Sequence, residues 1–108
     1  MSVSDADVAF AHDLFSPLGT ITSRRMMGGL SIYCDGRIFS IISSAGDIYL
    51  KADGALAGRL ANAGARQFSS LDKTGKTRSM GYWSLPENAL DDMELACAWA
   101  SEALNKKN

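Results

Sequence analysis

Residues 30–52 constrain the fold of this chain more than any other part of it. In the run 30–34, Leu30, Ile32 and Cys34 alternate with Ser31 and Tyr33, the two-residue period of a strand with one face toward a core. Asp35-Gly36 follows, a pair that tolerates the positive φ angles of a two-residue hairpin turn. The next run, Arg-Ile-Phe-Ser-Ile-Ile-Ser at 37–43, is apolar on both faces and suits a central strand. The turn residues 44–47 then lead into a third strand at 48–52. Three antiparallel strands in a meander follow from these residues alone.

The segment before this meander has helical spacing. Ser4 stands as an N-cap with Asp7 at the third helical position, and Val3 is placed to pack on Val8. Val8, Ala11, Leu14, Phe15 and Leu18 recur at the helical period, and Pro17 predicts a helix end near Phe15. Residues 20–26 alternate as a strand, with Ile21, Ser23 and Arg25 on one side and Thr22, Arg24 and Met26 on the other; Gly28-Gly29 interrupts as a turn or bulge.

After the meander, Asp53 is a cap for a short helix carrying Leu56 and Leu60, stopped by Gly64. Residues 67–71 and 77–84 read as two strands joined by Asp72-Lys73-Thr74-Gly75-Lys76, and Pro86 ends the second. Asp91 or Asp92 caps a last helix with Met93, Ala96, Cys97, Ala100 and Leu104 on one face, and Lys106 and Lys107 lie at its C-terminal end, where the dipole favours positive charge. The expected fold is α+β and two-layered, an antiparallel sheet of five to six strands packed on helices. Its order is helix, three to four strands, helix, two strands, helix, within one domain spanning 1–108.

If Leu30, Ile32, Ile48 and Leu50 meet the helices, then Tyr33, Tyr49, one of Tyr82 or Trp83, and part of Ile38-Phe39 and Ile41-Ile42 point the other way. A solvated face is normally more polar than this. The expectation is that another copy of the chain or a partner covers it, or that the last helix folds across it.

Composition narrows the function classes. With 46% hydrophobic and 21% charged residues the chain is ordinary globular protein, and a net charge of −1 gives no overall pull toward nucleic acid or acidic lipid. The first twenty residues resemble no targeting segment, no run is long enough for a membrane span, and Cys34 and Cys97 form no CxxC pair. A cytoplasmic location with reduced thiols is expected. His12 is the single histidine, so no multi-histidine zinc site can form; no serine or cysteine has a nucleophile context, and a dyad would require His12 to reach across the fold. No phosphate-binding glycine motif occurs. The chain is therefore expected to be no enzyme and to hold no cofactor or metal.

Recognition chemistry is better represented. Arg24-Arg25 beside Met26-Met27-Gly28-Gly29 offers guanidinium forks next to a turn, suited to a small anion or to bridging nearby carboxylates. Lys73, Lys76 and Arg78 form a basic hairpin that would grip DNA through phosphates, or a solvated tip. Tyr82-Trp83 sends one ring to each side of the sheet.

Taken together, Arg24-Arg25-Met26-Met27-Gly28-Gly29-Leu30, Tyr49-Leu50-Lys51-Ala52-Asp53, Gly75-Lys76-Thr77, Met80-Gly81-Tyr82-Trp83, Pro86 and Leu90-Asp91-Asp92 resemble the TfoX (Sxy) N-terminal domain family. The resemblance runs from about Val8 to Leu104, with Met27 where the family commonly has Phe. It implies a helix-covered antiparallel sheet of the sort also seen in secretion-chaperone-like domains, which commonly pair. It also implies a role in bacterial competence-type transcription regulation, as a co-activator beside a separate DNA-binding regulator. The family's regulator also carries a second, helical domain that these 108 residues do not include. The expected partner is then a transcription regulator or RNA polymerase, with a homodimer as a further possibility. The surface residues expected to make the contact are Arg24, Arg25, Tyr49, Arg78, Tyr82 and Trp83. Direct DNA binding through the basic hairpin, and a small-anion site or enzyme centred on Arg24-Arg25, are the alternatives.

Overall fold

The computed structural model describes residues 3–26, 29–71 and 77–105; the side chains of 26, 69–71 and 77–80 are outside that description. The elements follow the expected order: α1 (Asp5–Phe15), β1 (Ile21–Met26), β2 (Gly29–Cys34), β3 (Arg37–Ile42), β4 (Ile48–Lys51), α2 (Gly54–Asn62), β5 (Gln67–Leu71), β6 (Thr77–Ser84) and α3 (Met93–Asn105). All six strands join one antiparallel sheet in the order β1-β2-β3-β4-β6-β5. The fold is α+β. The connecting residues 72–76, including Lys73 and Lys76, and the helix-end lysines 106 and 107 lie outside the described residues.

Local chemistry explains most boundaries. Ser4 Oγ accepts from the Asp7 amide while the Asp7 carboxylate accepts from the Ser4 amide, a reciprocal cap that satisfies two amides with no helical partner. Val3 is buried under this cap and Val8 packs on the same core. Pro17 sits in the 3₁₀ turn Ser16–Leu18 that ends α1. Asp35 and Gly36 have φ of 51° and 85°, the doubly left-handed turn whose twist matches the β2–β3 hairpin. At Gly64 φ is 94°; its N–H donates to the Ala61 carbonyl and the Ala65 N–H to that of Leu60, closing α2 while burying Leu60 and Ala65 together. Asp53 occupies the N-cap position of α2, but its side chain makes no capping bond. Asp92 does cap α3, its Oδ1 accepting from the Leu95 amide at 3.1 Å.

The helices lie on one side of the sheet. Ala11, Leu14 and Phe15 of α1 and Ala96 and Ala100 of α3 close over Leu30, Ile32, Cys34, Phe39, Ile42, Ile48 and Leu50. The alanines on α3 let it approach closely. Met93, expected on that buried face, is instead 44% exposed, because it occupies the first turn of α3, at the edge of the contact. A second cluster of Ala52, Leu56, Leu60 and Ala65 seats α2, with Trp83 and Trp99 against it. Arg59 of α2 joins both carboxylate oxygens of Glu102 on α3 and lies 5.4 Å from the Trp99 ring centre, which ties the two helices at the surface.

A bulge explains the run that is apolar on both faces. Tyr33 pairs with Ile38 and Ile32 with Ser40, leaving Phe39 as the extra residue. Strict alternation would separate Phe39 from Ile42. The extra residue instead brings both into the core, where Phe39 meets the Phe15 ring edge-on at 5.0 Å. Ser40 is buried beside them, its hydroxyl donating to the Tyr49 carbonyl at 2.6 Å.

Candidate functional site: the open sheet face

Strand register places the remaining side chains on the opposite face in two rows. One runs Arg24, Ser31, Ile41, Tyr49 and Ser84; the other has Thr22, Tyr33 and Ile38 across β1–β3 and the pair Lys51 and Tyr82 across β4 and β6. Phe68 of β5 packs edge-on against Tyr49 with ring centres 4.8 Å apart, which sets it on the same face. The rings and Ile38 and Ile41 are all half-buried. None of the three helices in the described residues packs on them: α1, α2 and α3 cover the other face, so the alternative in which the last helix crosses this one is excluded. Burial pushes the Tyr82 phenol above its ordinary value, and the nearby Tyr33 phenol adds to the shift.

The residues expected to form a contact surface divide between the two faces. Arg24, Tyr49 and Tyr82 share the open face. Arg25 belongs to the helix side, donating to the Val3 carbonyl at 2.7 Å and pairing with Asp5 at 2.8 Å, so it fastens the N-terminal segment to β1. Trp83 is the core-side ring of the Tyr82-Trp83 pair and packs on the α2 cluster. Arg78 pairs across strands with Ser70, and its side chain is outside the described residues. Sequence reasoning did not place Lys51 or Phe68 on this surface, and it assigned part of Ile38-Phe39 and Ile41-Ile42 to it; the register picks out Ile38 and Ile41. Alternation along β4 signals Lys51 on the same face as Tyr49, but only the register sets it across from Tyr82.

His12 does reach across the fold. Its Nε2 lies 2.9 Å from Ser23 Oγ, joining α1 to β1, the kind of reach that a histidine–serine arrangement was expected to need. Geometry around the pair is sparse: no described carboxylate bonds the other ring nitrogen, and a groove in the surface lies elsewhere. That groove, of 680 Å³, lies beside Asp7, Phe10, Asp47, Arg66, Glu87 and Asp91. Neither His12, Ser23 nor any tyrosine lines it. Both cysteines are free thiols pushed upward by burial; Cys97 donates to the Leu14 carbonyl, and Cys34 to that of Leu18. Among the described residues no group of three or more His, Cys, Asp or Glu could hold a metal, and no helix is long and apolar enough to cross a membrane.

Fold and face together define an α+β domain whose antiparallel sheet is helix-covered on one side and aromatic and cationic on the other. The profile of the TfoX N-terminal domain matches residues 13–107, and the chain belongs to that family. No curated protein matches it. At the level of the family this is a regulatory domain.

Proposed function

We propose that this chain is a non-catalytic regulator that works by protein contact through the open sheet face, with a component of the transcription machinery as its partner. The family assignment supports regulation, and the observation that carries the mode of action is the half-buried set of Tyr33, Tyr49, Phe68 and Tyr82, on which no helix of the described residues is docked. Aromatic side chains on a rigid sheet concentrate contact energy at little entropic cost. Arg24, Tyr49 and Tyr82 are the expected contact residues that fall on this face. Affinity capture from the native host tests the reading. A transcription regulator or polymerase subunit retained by the wild type and by Phe10→Ser, and lost with Tyr49→Glu, is the expected result. Equal retention by Tyr49→Glu overturns it.

The His12–Ser23 contact favours one competing reading, a hydrolytic dyad. Hydrolysis of p-nitrophenyl acetate separates the two. The non-catalytic reading expects the wild type and Ser23→Ala to be indistinguishable; a Ser23-dependent burst of nitrophenol would establish the dyad.

A further inference from the structure

We infer that the occupant of the open sheet face is an acidic, apolar-anchored peptide segment whose carboxylates pair with Lys51 and Arg24. This rests on the protein-contact reading and names the chemistry of the partner. Lys51 carries the argument. It stands on β4, inside the sheet, directly across from Tyr82 and two residues from Tyr49 on the same face, and is half-buried. Arg24 is exposed at the β1 edge of the neighbouring row. Neither makes an ion pair with a described residue, and the described strand-paired positions of this face hold no Asp or Glu; Asp53, two residues after Lys51 in extended backbone, stands past the end of β4.

Any body that covers the rings also covers the Lys51 ammonium, and a covered charge is costly unless the arriving surface neutralises it. A second copy of the chain fits badly. In a two-fold pair the same face meets itself, so Lys51 and Arg24 would be enclosed with their own like and no carboxylate. The occupant must therefore bring negative charge. Single-stranded nucleic acid has the charge but matches the apolar part less well. Ile38 and Ile41 occupy the middle of the face, and Tyr49 and Phe68 stand edge-on to one another rather than presenting parallel plates for bases. A segment alternating carboxylates with leucine or phenylalanine meets both demands, its apolar side chains filling the spaces among the rings.

Fluorescence anisotropy with a labelled peptide alternating glutamate with leucine and phenylalanine tests this. A counterpart with lysine for glutamate and an oligothymidylate run in parallel. Saturable binding of the acidic peptide is expected, falling about tenfold or more in Lys51→Glu and less in Arg24→Glu, with Lys51→Arg retaining it. Amide shifts from the bound peptide should centre on β3, β4 and β6. Circular dichroism of each variant checks that it is folded. Equal binding of the lysine peptide, preference for oligothymidylate, or a concentration-dependent dimer abolished by Tyr49→Glu would each overturn the inference. If the acidic peptide fails to bind while Tyr49→Glu still loses the captured transcription component, the acidic chemistry falls and the protein-contact reading stands.

Discussion

Both faces of this sheet carry large apolar side chains, yet they are used differently. On the helix side, Phe15, Phe39, Ile32 and Leu50 are fully enclosed, and the described buried hydroxyls, such as that of Ser40, have partners. On the open side, Tyr33, Tyr49, Phe68 and Tyr82 stop at half-burial, with a lysine among them. Dispersion and exclusion of water reward the first arrangement within the chain itself. In the second, most of the reward is deferred until something else arrives. Apolar surface that does not complete the core marks recognition more clearly than any of the sparse titratable groups here.

The largest expected effect separates the faces by stability. Phe15→Ala opens a cavity between α1 and β3 and should cost about 3–5 kcal/mol, whereas Tyr49→Ala, losing one edge-on contact with Phe68, should cost about 1 kcal/mol. Urea denaturation measures both; equal losses would mean that the faces are not energetically distinct. A sharper version uses sequence neighbours. Trp83→Ala removes the ring against the α2 cluster and should cost about 3 kcal/mol, well above Tyr82→Ala one residue away. Thermal melting of the pair reads the difference.

Lys51→Leu should move stability by no more than about 0.5 kcal/mol while abolishing the charge selectivity of peptide binding. A substantial loss of stability would give Lys51 a structural role instead. The smallest effect is spectroscopic. The fold raises the Tyr82 phenol above its ordinary value of 10.0, so folding favours the neutral form. Its contribution is complete below the ordinary value and is lost as pH rises through the raised one. Phenolate absorbance should therefore show a late-titrating group that disappears in Tyr82→Phe; an unchanged titration curve would place Tyr82 in open solvent.

Legibility in the sequence followed the range of the interactions. The Ser4–Asp7 cap, the Asp35-Gly36 turn and the Gly64 helix stop involve residues a few positions apart, and each was readable from its own neighbours. Asp53 and Met93 were read by the same rules and differ because neighbouring packing, not local pattern, decides whether a carboxylate turns to its helix or a methionine is covered. For the candidate site, alternation identified the faces of Tyr33 and Tyr49, but Arg25 was grouped with Arg24 by adjacency alone. Adjacent strand residues point to opposite faces, and Arg25 finds Asp5 and Val3 on the helix side.

The amino-acid order by itself determined the element sequence, the antiparallel meander and the surplus of rings on the second face, because periodicity and turn chemistry act within a few residues. Only the tertiary structure decided that β6 slips between β4 and β5, that the Phe39 bulge reassigns one strand's side chains, that His12 meets Ser23, and that Lys51 lies among the tyrosines. Those outcomes depend on pairing registers between distant segments. Such registers are selected by the packing of the whole sheet against its helices, and no short window of sequence contains that information.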